Sequence, residues 1–270
     1  MTTLQCIITT MPYSHSDTIE AFTKFYAFLT TLPYIPASAL QHPPPNGWPS
    51  ITDDAFSPLG KTPEVLHLLR HLPYLEDVDW NIAYDTKVTA YNSGRARDCL
   101  QQGQSLEVHG LKPFHIDDIP PHAVTLTNGS NYGSWLICNT IDGTLTEHIP
   151  LGTPGFDNRP WYQYPTMPIV QFLEQWKERY TELEWVATPG APGAYGNIAI
   201  PGETNDRDLA ETRDIYRAHG WPSNFYRDDC HKALVERAQT LKEALLQQGI
   251  QDIEERPRRK AAAALQQAET

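Results

Sequence analysis

Residues 123–149, AVTLTNGSNYGSWLICNTIDGTLTEHI, decide the fold. Three apolar-rich runs, AVTLT, SWLICNT and TLTEHI, are separated by the turn-rich NGSNYG and by IDG. Short runs of this kind bounded by Gly, Asn and Asp read as strands. Asp142-Gly143 supplies the positive φ that a tight hairpin requires. A β-meander is therefore expected from Ala123 to Ile149. With Ile-Asp-Gly at the turn, Cys138 should lie nearer Leu145 or Thr146 than His148. The proline-rich crossing PLGTPGFDNRPWYQYP (150–165) then leads into MPIVQFLEQWKERYTEL (167–183). There Ile169, Phe172, Leu173, Trp176, Tyr180 and Leu183 recur at helical spacing, while Glu174, Lys177, Glu178 and Glu182 face outward. Such a stripe has to be buried, so this helix is expected to cover the meander.

Outward from that unit, a first helix is expected over residues 17–32. Asp17 caps it, Glu20 follows three residues on, Ile19, Phe22, Tyr26, Leu29 and Leu32 share one face, and Pro33 ends it. PYIPASALQHPPPNGWPS (33–50) is too rich in proline to be helical. Thr62-Pro63-Glu64 signals a second helix start, with Val65, Leu66, Leu69 and Leu72 as its apolar face and Pro73 as its stop. Both helices end in Leu-Pro-Tyr, which predicts Tyr34 and Tyr74 folded back on the helix that precedes them. WNIAYDTKVTAY (80–91) alternates Trp80, Ile82 and Tyr84, then Val88 and Ala90 after Asp85, and predicts a strand or hairpin. Residues 92–122 are polar and read as loop, with a short strand near Leu106. Gly47-Trp48-Pro49-Ser50 recurs as Gly220-Trp221-Pro222-Ser223, and a tryptophan held between Gly and Pro suits an anchor that plugs a loop into the core.

The expected fold class is α+β: a mostly antiparallel sheet covered by helices, with a C-terminal helical appendage. Residues 1–187 form the α+β domain, and the Gly/Pro-rich 188–206 is the linker. Residues 207–250 hold two helices, one with Leu209, Thr212, Ile215 and Tyr216 inward, the other with Cys230, Leu234, Leu241 and Leu245. Residues 251–270 change to charge and alanine and read as a disordered tail.

Composition narrows the function. A net charge of −12 repels phosphate backbones and anionic bilayers, so neither nucleic acid nor membrane is an expected partner. No stretch approaches the roughly 20 apolar residues of a transmembrane helix, and the N-terminal residues lack the pattern of a secretory leader. Cys6, Cys99, Cys138 and Cys230 are scattered, which suits reduced thiols in the cytoplasm, with the nucleus left open.

The pieces Gly129-Ser130-Asn131-Tyr132-Gly133, Trp135-Leu136-Ile137-Cys138, Asp142-Gly143-Thr144-Leu145 and Val170-Gln171-Phe172-Leu173 make the 123–185 unit resemble the C-terminal half of the SUKH superfamily. That superfamily contains fungal regulators of cell-wall synthesis and bacterial toxin-immunity proteins. The resemblance implies binding to a protein rather than catalysis. The superfamily's Leu-Pro-X-X-Tyr entry is matched only in its first half, by Leu72-Pro73-Tyr74, and the helices after Asp206 lie outside its usual module. The order of LLRHLPYL, GSWL and YRAHGWP also resembles a group of filamentous-fungal proteins, a likeness that implies no activity.

Residues with reactive chemistry are few. His109, His115, Asp117 and His122 lie within HGLKPFHIDDIPPH (109–122), and imidazole with carboxylate suits zinc, iron or manganese. Their spacing matches no metal motif, so a solvated loop is the expected reading and no metal is expected there. Cys138 beside His148 would be needed for thiolate catalysis, yet a cysteine in a half-buried strand is usually packing. No nucleophile elbow, phosphate loop or dinucleotide fingerprint is present, and no cofactor is expected. Glu174, Glu178 and Glu182 repeat at every fourth residue and form a solvated helix face that could attract a basic partner. The expected function is a protein-binding or regulatory module without catalytic activity. Its contact surface is expected in the aromatic crossing, at Phe156, Arg159, Trp161, Tyr162 and Tyr164. The alternative is an accessory enzyme acting on a small molecule with metal assistance.

Overall fold

The computed structural model describes residues 13–76, 80–114, 116, 119–150, 160–189 and 197–268; beyond residue 250, the only side chain described is that of Ile253. The elements run α1 (His15–Thr31), β1 (Leu40–Gln41), α2 (Asp53–Phe56), α3 (Pro63–His71), β2 (Tyr74–Leu75), β3 (Asn81–Ala83), β4 (Thr86–Val88) and α4 (Gly94–Gln101). They continue with β5 (Ala123–Thr125), β6 (Thr127–Asn128), β7 (Trp135–Asn139), β8 (Thr144–His148), β9 (Thr166–Pro168), α5 (Ile169–Thr181), β10 (Val186–Ala187), β11 (Ile198–Ala199), α6 (Asp206–Ala218) and α7 (Arg227–Ala268). The fold is α+β, and every strand pairing within its sheets is antiparallel.

The meander forms as its sequence dictates. β5, β7, β8 and β9 make a four-stranded sheet in that order, and β3, β4 and β6 make a three-stranded one. Residues 123–128 belong to both, pairing with β7 through β5 and with β4 through β6. At the β7–β8 turn Gly143 sits at φ +65°, and its N–H donates to Asn139 O. Cys138 pairs with Leu145, and Trp135 with His148. The hairpin β3–β4 turns at Asp85, whose φ is +46°. Gly133 packs directly on this turn: a Cβ there would collide with the Asp85 carbonyl, so only glycine lets the two loops meet.

α5 covers the sheet with the predicted stripe. Ile169, Phe172, Leu173, Trp176 and Tyr180 are buried along it, and Leu183 just beyond. Burial of side chains this large stabilises by about 1.5–3 kcal/mol each. Trp176 packs against Phe25 of α1, Phe172 and Trp185. Buried tyrosines then tie helices and loops to strand carbonyls. Tyr180 Oη donates to Ile82 O at 2.9 Å, Tyr34 Oη to Asn81 O at 3.1 Å, and Tyr91 Oη to Thr125 O at 2.9 Å. Tyr74 does fold back on its own helix, donating to Leu69 O at 2.8 Å, whereas Tyr34 reaches instead to β3. Both repeated tryptophans anchor loops: Trp48 Nε1 donates to Leu72 O and Trp221 Nε1 to Thr181 O.

Several local expectations change. Ser14, one helical turn earlier than Asp17, caps α1 by accepting from the Asp17 N–H. The segment read as loop contains α4, capped by Ser93, with Ala96, Cys99 and Leu100 buried. No strand forms at Leu106, which lies in a turn. The stretch read as a linker supplies β11, which pairs with β10 and places Ile198 in the main core. Where a tail was expected after residue 250, α7 continues to Ala268.

The C-terminal helices dock on the rest. Arg213 Nε donates to Leu183 O and Tyr216 Oη to Ala187 O, fixing α6 beside β10. Arg227 Nε donates to Thr30 O and Leu32 O, while its Nη2 donates to Ile35 O. A guanidinium presents five donors in a fixed fork, which is why one residue can close the end of α1.

Candidate functional site

α7 begins as a core element and ends as a bare one. Cys230 and Leu234 are buried in a small cluster with Leu183, Val186, Leu209 and Tyr216. Arg237 then spans to α6, with Nη2 at 2.9 Å from Asp208 and 3.0 Å from Glu211. Beyond Arg237, every described side chain of α7 is exposed. Leu241 and Leu245 continue the row of Cys230 and Leu234, and Leu246, Ile250 and Ile253 form a second row beside it at i, i+4 and i+7. These five are 39–68% exposed. Scattered surface leucines are ordinary, but a contiguous row on one helix is the mark of an interaction surface.

The inner part of this row lines a groove of about 470 Å³, together with Thr188, Pro189 and Thr212. Leu234, Ala238, Leu241, Leu245 and Leu246 make its floor, and Lys242 stands at its edge. The side chains offer an apolar contact with a cationic margin. No cysteine, histidine or carboxylate is among the groove's described lining residues, and Arg237 adds a second cation to it.

The aromatic crossing divides. Trp161 and Tyr164 are only 8% and 7% exposed, so they are not the surface residues expected, while Tyr162 at 64% is. Phe156 and Arg159 lie outside the described residues. Trp161 packs with Ile116, Ala123 and Ile137 on the face of the four-stranded sheet away from α5. Tyr164 meets the His148 ring edge-on at 4.6 Å. SWLIC is a continuous apolar run rather than an alternating one, which signals a strand covered on both faces. The second cover is this crossing.

His148 has both ring nitrogens buried without hydrogen-bond partners among the described residues. Burial alone holds its pKa down to about 4, so the ring is neutral at physiological pH. Cys138 is wholly buried, and desolvation pushes its thiol up to about 12. With Leu145 as its partner across the hairpin, it is a packing residue rather than a thiolate nucleophile.

The histidine-rich segment is spread out. His109 lines a cavity beside Asn128, whereas His122 precedes β5 and its carbonyl accepts from Thr140. Six residues of chain, up to roughly 20 Å when extended, separate His122 from Asn128. His115 and Asp117 lie outside the described residues. Among the described residues no group of three or more His, Cys, Asp or Glu is placed to hold a metal ion. Glu174, Glu178 and Glu182 are solvated on α5. No helix among the described residues is long and apolar enough to cross a membrane. Compared with known proteins, the chain matches no protein family, no curated protein and no solved structure.

Proposed function

We propose that this protein is a non-catalytic protein-binding module whose contact surface is the outer part of α7 with the groove at its root. The observation that carries this reading is the exposed row Leu241, Leu245, Leu246, Ile250 and Ile253, continuous with an apolar groove. The partner contributes an amphipathic helix, with its apolar stripe on the leucines and acidic side chains toward Lys242. The SUKH resemblance of residues 123–185 supports the same kind of function. The free cysteines Cys99, Cys138 and Cys230 fit work in the cytoplasm or nucleus.

A photocrosslinking residue at position 245, with a second at position 162 as control, tests this in cells. A defined adduct is expected from position 245 and is lost when Leu241→Glu is added. An adduct of twice the chain's mass identifies a second copy as the partner. Equal adducts from both positions, or retention of the adduct in the charged variant, refute the reading. Leu245→Glu, at a site 66% exposed, should change stability by no more than about 0.5 kcal/mol, and Leu241→Glu, at a site 39% exposed, by no more than about 1 kcal/mol.

A further inference from the structure

A cavity of about 230 Å³ opens where α4 begins, between that helix, β4 and the turn at Gly110. The chain carries 33 acidic residues against 21 lysines and arginines, yet no carboxylate lines this space. Lys87, Arg95, His109 and Asn128 do. The sign of the charge is locally reversed.

Asn128 and Ser93 are turned to donate, whereas the Thr89 hydroxyl is committed to Gly110 O at 3.4 Å. Asn128 Oδ1 accepts from the Ser130 N–H at 2.9 Å, which commits its Nδ2 to the opposite side, against Gly110. Ser93 Oγ accepts from the Ala96 N–H at 3.3 Å, leaving its own hydrogen to give. Lys87 stands opposite Asn128 in the β4–β6 pairing. His109 lines the same wall, and its Nδ1 is buried without a partner among the described residues.

Arg95 is the most telling residue. It sits in the first turn of α4, where the helix dipole disfavours a cation and where this helix has no acidic residue. Among the described residues it makes no hydrogen bond or ion pair, whereas its neighbour Arg97 pairs with Asp98 at 3.0 Å. A bound anion at the cavity mouth removes that conflict, since it meets the guanidinium, the lysine and the free N–H groups of the first turn together.

We propose that this cavity binds a small phosphorylated ligand by its phosphate group. The dianionic, tetrahedral oxygens match several donors arriving from different walls. The volume lies below the 300–1,000 Å³ of drug-sized ligand sites, so the remainder of the ligand is short. The site is separate from the α7 surface, and either can fail without the other.

Inorganic phosphate and glycerol 3-phosphate are titrated into the full chain at constant ionic strength, with the amide signals of Gly94, Arg95 and Gly110 followed by NMR. Saturable shifts are expected, tighter for the glycerol ester. Arg95→Gln weakens binding about tenfold, the loss of one charge-assisted contact. Arg97→Gln, on the same helix but outside the cavity, leaves it unchanged. Asn128→Asp keeps the acceptor for Ser130 while adding a carboxylate to the cavity, and abolishes binding. Shifts that never saturate, equal losses in Arg95→Gln and Arg97→Gln, unchanged binding in Asn128→Asp, or acetate binding as tightly as phosphate each overturn the proposal.

Discussion

α5 and α7 are both amphipathic helices, and their apolar rows meet opposite fates. On α5 the row from Ile169 to Tyr180 is buried. On α7 the row is covered at Cys230 and Leu234 and bare from Leu241 onward. α7 has 42 residues, about 63 Å at 1.5 Å per residue, and its described side chains after Arg237 are all exposed. Periodicity says that a face is to be covered; the length of the helix relative to its support says whether the chain covers it itself. On α5 the pattern is architecture, and on α7 its outer part is left facing water.

The contrast breaks most severely at Trp176. Trp176→Ala empties a site walled by Phe25, Phe172 and Trp185, and should cost about 3–5 kcal/mol in denaturant unfolding. A cost below about 1 kcal/mol would mean that the α5 row is no more committed than that of α7.

Arg227→Ala acts at the root of α7. It strips the donors from Thr30, Leu32 and Ile35 carbonyls and should cost about 1–2 kcal/mol, discounted because the side chain is partly in water. Limited proteolysis should then cut α7 faster while the meander stays protected. Uniform sensitivity across the chain would show that root and body unfold as one unit.

Acid separates the two regions by a smaller effect. His148 titrates near 4 when folded and near 6.5 when unfolded. Between those values the unfolded chain binds the extra proton, so this contribution is complete above about pH 6.5 and is lost as pH falls through 4. The melting temperature should therefore fall more steeply from pH 7 to pH 4 in the native chain than in His148→Phe. Parallel curves for the two proteins would remove His148 as the cause.

Legibility in the sequence followed the range of the interactions. The α5 stripe, the Asp142-Gly143 turn and the Cys138–Leu145 pairing depend on residues close in sequence, and all could be read. α4 escaped because its face holds only Ala96, Cys99 and Leu100 among polar neighbours, although Ser93 marks its start. The burial of Trp161 and Tyr164 escaped for another reason. An aromatic-rich crossing reads the same whether it meets water or the far face of a sheet, and the demand for that second cover is written elsewhere, in SWLIC. As for the site, the two outer leucines Leu241 and Leu245 were visible as a stripe, but their exposure depends on where the body ends. The cavity at α4 unites β4, β6 and a turn near residue 110, and no local pattern announces such a meeting.

The Arg227 clamp also bears on how the molecule is made. Its acceptors on Thr30 and Leu32 lie 197 and 195 residues earlier in the chain. At 5–20 residues per second, a ribosome needs on the order of 10–40 s to deliver the arginine after those carbonyls emerge. Through that interval Thr30 O lacks this donor, while Leu32 O already accepts from the Tyr34 N–H at 2.8 Å. The nascent meander can zip up through near-neighbour pairings meanwhile, but this latch closes only when the start of α7 arrives.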